Sequence, residues 1–461
     1  MTTPVPTPHG FRAELGAMIR LSIPLALGQL GMTLMGVVDT IVVGRVSSEA
    51  LAAVAIGNVY LFNALAFGLG VMMALDPIVA QAVGAKDDDA IARGLQRGIL
   101  LAVAITIPTV MLLWPGETLL RLLRQQPEII PVAAQYARIQ ILGVLPFYLF
   151  IAFRQTLQAM HRTAAIVAVI VLANLLNLLL NWVFVFGHWG APPMGAAGSS
   201  WATALSRGFM AIALLALGWP HLRRYLIPWH PRAFDLGALG RMLRLGAPIG
   251  VQMSLEFGIF GVVGLLMGAI GVSTVAGHQV ALSLASFTFM VPLGVSGAAA
   301  VLVGNAVGRG DPAEARRAAW AGLTIGVAFM ALSTAVMIAQ PTLIARLYTN
   351  QDVVVAVAAS LIPLAGLFQV FDGIQVVAIG ILRGVADTRA PMVINVVGFW
   401  LVGLPVCAWL GFRTSMGPRG LWWGLVIGLA VVAVILLARV RSRMAGDISR
   451  VSVDSTEMPI G

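Results

Sequence analysis

Residues 243–268, LRLGAPIGVQMSLEFGIFGVVGLLMG, place one acid in the middle of an apolar run. Glu256 is the only charged side chain between Arg244 and the end of the stretch. At about 1.5 Å per helical residue, the run is long enough to cross a hydrocarbon core of about 30 Å. A carboxylate at that depth costs on the order of 3 kcal/mol on insertion scales, so it needs a polar interior, a partner or an ion to handle. The same stretch also restarts the chain. Arg20, Leu21 and Pro24 fall on Arg244, Leu245 and Pro248 at an offset of 244 − 20 = 224. At that offset Gly44 meets Gly268, Gly70 meets Gly294, and Val79, Ala82, Val83, Gly84 and Asp87 meet Val303, Ala306, Val307, Gly308 and Asp311. Arginine, proline, glycine and aspartate recurring in register mark an internal duplication, because shared hydrophobicity alone does not align them.

Composition agrees with a membrane chain. Of 461 residues, 59% are hydrophobic and 10% charged, which excludes a soluble globular protein. The net charge of +10 is explained by membrane topology before any anionic partner, and nucleic acid is not implied. The lone Cys407 leaves no intramolecular disulfide and no thiolate metal cluster. The opening MTTPVPTPHG lacks the basic start, apolar run and cleavage site of a signal peptide, so the first span is expected to direct insertion.

The pattern predicts an all-α polytopic protein of twelve transmembrane helices in two six-helix lobes. The expected divisions are a disordered N-terminus at 1–11, an N-terminal lobe at 12–218, a cytoplasmic linker at 219–241, a C-terminal lobe at 242–440 and a cytoplasmic tail at 441–461. Because six is even, the halves enter with the same orientation, and a pseudo-two-fold axis along the membrane normal is expected. Placing both termini in the cytoplasm puts most of the 29 Lys and Arg on that side. The linker, with its arginines, prolines and aromatics, reads as an interfacial segment on the membrane surface.

Three acids fall well inside spans: Asp39, Glu256 and Asp372. Asp39 maps onto Val263, and 263 − 256 = 7 residues is two helical turns, so each half's first helix carries one acid on nearly the same face. Asp372 maps near Phe147 and Tyr148 and has no acidic counterpart. The first half instead carries Asn174, Asn177 and Asn181 on one helix face, either as interhelical glue or as amide oxygens that join Asp39 in a cation pocket. The Asp76-Pro77 pair is either a helix restart, with Asp as N-cap, or a further titratable group in the pathway. His278 reads as a hydrogen-bonded structural histidine. No Walker A loop, paired-cysteine site or HExxH occurs, so an ion gradient is the expected energy source and no cofactor is expected. Two acids in one lobe supply hard oxygens suited to Na⁺ as a metal at Glu256 and Asp372, whereas Asp39 alone among amides suits H⁺.

Four stretches, taken together and in this order, resemble the multidrug and toxic compound extrusion (MATE) transporters, in particular their NorM-like bacterial branch. They are IPLALGQLGMTLMGVVDTIVVGRVSSEALAAVAIG at 23–57, PIVAQAVGA at 77–85, AGHQVALSLASFTFMVPLGVSGA at 276–298 and LRGVADTRAP at 382–391. The resemblance spans about residues 12–445. It implies two six-helix lobes around a central cavity and export of amphipathic, usually cationic compounds in exchange for Na⁺ or H⁺, by a monomer in the bacterial inner membrane. It also implies that Asp39 is the first-lobe acid of substrate and cation binding with Asn177 and Asn181 beside it, and that Glu256 and Asp372 are the second-lobe cation-site acids. The family often carries an amide where this chain has Asp76. The other readings held open are a lipid or lipid-linked precursor flippase of the same superfamily and an integral-membrane enzyme.

Overall fold

The computed structural model describes residues 10–122, 126–451 and 454. Among the described residues, twelve helices are long and apolar enough to span a bilayer. They are α1 (Phe11–Gly44), α2 (Ser48–Gly84), α3 (Asp88–Leu113), α4 (Ile130–Ala159), α5 (Thr163–Phe186), α6 (Ala196–Leu226), α7 (Leu236–Ile270), α8 (Val272–Arg309), α9 (Pro312–Ala339), α10 (Asp352–Gly384), α11 (Arg389–Phe412) and α12 (Pro418–Ala445). Among the described residues there is no β-strand. The expected disordered start at 1–11 lies mostly outside the described residues. Of the expected tail at 441–461, residues 441–451 and 454 are described, and α12 carries helix five residues into it, to Ala445.

The duplication is visible in the backbone of the helix links. After α2, Lys86 takes a left-handed φ of 56°, and after α8, Gly310 takes one of 73°. In both places the next residue's N–H reaches back five residues, from Asp87 to the Ala82 carbonyl and from Asp311 to the Ala306 carbonyl, each at 3.0 Å. This is a Schellman closure. The same aspartates then cap the following helix: Asp87 Oδ1 accepts from the Ala90 N–H and Asp311 Oδ1 from the Glu314 N–H, both at 2.9 Å. Gly195 before α6 (φ 54°, ψ −127°) and Gly417 before α12 (φ 53°, ψ −125°) share a conformation that suits only glycine.

The chain divides into two compact units, one of residues 28–250 and one of residues up to 27 together with 251 onward. The cuts fall inside α1 and α7, not in the connector, so the packing units differ from the sequence halves at 12–218 and 242–440. Glycine explains why. In the second unit, a Cβ on Gly294 of α8 would lie 2.5 Å from the Ala26 nitrogen of α1. In the first, a Cβ on Gly70 of α2 would lie 2.4 Å from the Gly250 Cα of α7. Ala26 and Gly250 are themselves 224 residues apart, so each unit receives the opening half of one repeat-start helix by the same backbone-to-backbone approach. Met18, Leu21 and Leu25 accordingly lie in the core formed with Ile259, Val263 and Ala299.

Of the segment expected as the linker, α6 runs on through Leu226 and α7 starts at Leu236, leaving only 227–235 outside the long helices. That short piece is fastened to α3. Gln96 Nε2 donates to the Tyr225 carbonyl at 2.8 Å, the His230 N–H donates to Gln96 Oε1 at 2.8 Å, and Arg97 Nη2 donates to the Arg232 carbonyl at 2.8 Å. Buried Gln96 and Arg97 therefore satisfy backbone groups that a loop would otherwise leave open.

Candidate functional site

In the unit of residues 28–250, α1, α5 and α6 converge on Asp39. Asn177 and Asn181 are four residues apart on α5 and so share a face. Asn181 Nδ2 donates to Asp39 Oδ1 at 2.7 Å and Asn177 Nδ2 to the same oxygen at 3.2 Å. Thr203 on α6 donates its hydroxyl to Asp39 Oδ2 at 2.5 Å. Asp39 is 1% exposed and both asparagines 0%, so the carboxyl is removed from solvent and held by neutral donors alone. Three hydrogen bonds from neutral donors offset part of the cost of placing an acid in a span.

The donors are committed in a particular way. Asn177 divides its amide hydrogens between Asp39 and Thr203 Oγ1 (3.2 Å), and Asn181 between Asp39 and the Asn177 carbonyl (2.9 Å). Both amide oxygens remain buried without a partner. Asp39 and Thr203 supply oxygens of the kind hard cations take, whereas the two amides face the acid with their nitrogens. Thr203 adds a second property, because a hydroxyl can donate to a carboxylate or accept from a carboxylic acid, whereas an amide N–H cannot reverse. Asn174, the third residue of the stripe, stands apart from the acid. It donates to the Gly31 carbonyl at 2.9 Å and to the Ile170 carbonyl at 2.8 Å, joining α5 to α1 where Gly28 and Gly31 admit Ile170.

In the other unit, Glu256 on α7 meets α10. Gln375 Nε2 donates to Glu256 Oε1 at 2.7 Å, and Gln375 is fully buried with its Oε1 unpartnered. Asp372 lies three residues before Gln375 and so shares its face of α10. Glu256 and Asp372 are both partly exposed, in contrast to Asp39. Among the described residues no three His, Cys, Asp or Glu side chains gather as a metal-binding group.

Two expectations are corrected. The second span does break, at Met73 and Ala74, and helix resumes at Leu75, but Ala74 is the N-cap. Asp76 is in the first turn, where a carboxylate still complements the helix's positive end. His278 makes no hydrogen bond from either ring nitrogen among the described residues; its ring packs edge-on to Trp422 with centroids 5.6 Å apart.

Sequence reasoning missed Thr203, Gln375 and Arg207. Hydroxyls and single glutamines in a span carry a weak signal, but Arg207 is an intramembrane charge and was legible. It lies one turn beyond Thr203 on α6.

The MatE family model matches this chain twice, over residues 24–183 and 248–409. A probable multidrug resistance protein NorM of Mesorhizobium japonicum is 39% identical over 438 residues, covering 93% of this chain and 94% of that protein. The multidrug resistance protein PmpM of Pseudomonas aeruginosa is 35% identical, covering 93% and 91%. Among solved structures, the eukaryotic MATE transporter AtDTX14 superposes with a TM-score of 0.85 at 23% identity, over 94% of this chain and 96% of that one, which speaks to the fold. The two family matches begin 248 − 24 = 224 residues apart, the spacing that relates the sequence halves. The duplicated twelve-helix chain belongs to the MatE family.

Proposed function

We propose that the chain is a secondary active multidrug antiporter of the bacterial inner membrane, exporting amphipathic, mostly cationic compounds in exchange for inward Na⁺. The observation that carries this reading is Asp39: a carboxyl inside a membrane span, held by neutral donors, beside two unused amide oxygens. Such a group neutralises one monovalent cation at a time, so an organic cation and the coupling ion exclude one another there. The relatives named as multidrug resistance proteins support export of drug-like compounds. Na⁺ is assigned to Glu256 and Asp372, with the free Gln375 oxygen as a further hard donor. The observation favouring H⁺ is Thr203, whose reversible hydroxyl lets the Asp39 cluster hold a proton without dismantling it.

Both termini are placed in the cytoplasm from the arginine distribution. A C-terminal reporter active only in the periplasm is expected to be silent, and activity would invert the topology. The central test is efflux of a fluorescent organic cation from proteoliposomes under imposed gradients. An Na⁺ gradient at equal pH is expected to drive transport; transport that follows pH and ignores Na⁺ moves the coupling role to Asp39, and turnover of a compound without any gradient would point to an enzyme.

A further inference from the structure

Arg207 is a charge without an ion-pair contact among the described residues. It lies inside α6 and is partly accessible. Its surroundings are nonetheless built for it. Nη1 donates to Gln140 Oε1 at 3.2 Å, and Gln140 is fully buried. The guanidinium carbon stands 5.0 Å from the centre of the Phe147 ring, a cation–π arrangement. Its stem lies against α4 at Gly143, where a Cβ would come within 3.2 Å of Arg207 Cδ. Residues 140, 143 and 147 share one face of α4, so this helix presents an amide oxygen, a gap and an aromatic face in line. All of these partners are neutral. They fix the cation in place without neutralising it.

On α6, Arg207 follows Thr203 by four residues and so lies on the face that Thr203 turns to Asp39. The rise between them is about 6 Å; the guanidinium is held by Gln140 and Phe147, and its charge still acts on the Asp39 carboxyl. We propose that Arg207 is a tethered competitor for the Asp39 site: its fixed positive charge weakens the binding of any cation at Asp39 and makes double occupancy unfavourable. This inference rests on the antiport reading of that site. With the site empty, the carboxylate and guanidinium sum to zero charge. With one monovalent cation bound, the unit's interior carries +1, so a second cation is repelled and the first leaves readily. At an effective dielectric near 20, a unit charge this close in the same unit changes cation affinity on the order of tenfold or more. Exchange is thereby favoured over accumulation of both ions.

The experiment is equilibrium binding and release of radiolabelled tetraphenylphosphonium, without Na⁺ and at one pH, on the purified full-length chain in nanodiscs. The neutral variants Arg207→Gln and Arg207→Met differ in polarity, so that one remains usable if the other fails to fold. Both are expected to bind about tenfold more tightly and to release more slowly, while Arg207→Lys stays within about twofold of the parent. In an Asp39→Asn background the gain is expected to vanish. Unchanged or weaker binding in the folded neutral variants overturns the proposal, as does a gain that persists without Asp39. If Asp39→Asn weakens binding but Arg207 has no influence, the antiport site stands and the competitor role falls; if Asp39→Asn has no effect on binding, the site reading falls and the competitor role with it.

Discussion

The two units share a scaffold and differ in their acids. In residues 28–250 the carboxyl of Asp39 receives three donations from two neighbouring helices and is closed off from solvent. In the other unit the partly exposed Glu256 is hydrogen-bonded by Gln375 and by Gln252 of its own helix, with Asp372 one turn from Gln375 on α10. Superimposing the repeats shows how complete the divergence is. Asp39 falls on Val263, and with Gly195 set on Gly417, Thr203 and Arg207 fall on Leu425 and Leu429. In the reverse direction, Glu256 falls on Met32 and Gln375 on Ile151. At these positions each repeat is apolar where the other is polar; Asp372 is the exception, falling on Tyr148. The duplication has kept the features the backbone requires, such as the Schellman links, the helix caps and the glycine approaches, while the polar chemistry sits on different helices. A pre-formed site and a looser one follow, and they are expected to respond differently to the same kind of substitution.

The sharpest break in the comparison is Asp39→Asn. The amide keeps the shape but removes the charge that neutralises a cation, and it places an N–H₂ against the donors of Asn177, Asn181 or Thr203. Efflux in proteoliposomes is expected to be abolished with membrane expression largely intact. Wild-type efflux would reduce Asp39 to a structural polar group and leave Glu256 as the centre of function.

Next in size is a test of what the units have in common. Gly70→Val and Gly294→Val each drive a branched side chain into backbone at a distance where a Cβ alone would already sit at 2.4 and 2.5 Å. Overpacking of an interior commonly costs about 1–3 kcal/mol, and backbone cannot step aside as a side chain can, so both variants are expected at or above the top of that range. Thermal unfolding followed by size-exclusion chromatography should show similar losses for the two. A large loss in one and none in the other would mean that the shared approach matters to only one unit.

These substitutions also mark how far the sequence could be read. The twelve spans, the repeat and the three intramembrane acids are legible because charged residues are rare in apolar runs and because arginine, proline and glycine recur in register. Asn177 and Asn181 were found by helical spacing. Thr203 and Gln375 were not, because a hydroxyl or a single amide in a span is common and gains meaning only when a distant helix brings it to an acid, across 164 residues for Thr203 and 119 for Gln375. The assignment of the opening halves of α1 and α7 to particular units was hidden for a related reason. The glycines are visible in the sequence, but which backbone they approach is a tertiary fact. Asp76 was misplaced by two residues because the Asp-Pro pair fits a cap and a first turn equally well.

Glu256→Gln is expected to have a smaller effect than Asp39→Asn. Gln375 can still donate to the new amide oxygen, so the local structure survives and only the charge is lost. Transport should persist, with a raised half-saturating Na⁺ concentration, and Asp372→Asn should act in the same direction. Equal and complete loss in Glu256→Gln and Asp39→Asn would erase the distinction between a pre-formed and a looser site.

Least affected should be Asn174→Ala, and its contrast with Asn177→Ala tests whether the asparagine stripe has two functions. Both remove an amide from the same face of α5. Asn177 donates to the acid and to Thr203, so its loss leaves Asp39 Oδ1 with a single donor, Asn181, and is expected to impair efflux several-fold. Asn174 donates only to the Gly31 and Ile170 carbonyls. The Ile170 carbonyl belongs to α5 itself, so a single interhelical bond to α1 is lost, and such bonds in membranes average about 0.6 kcal/mol. A slight drop in thermal stability with unchanged ion dependence is therefore the expected result. A shift in ion dependence from Asn174→Ala would mean that the position of α1, fastened at Gly31, sets the geometry of Asp39 eight residues further along the same helix.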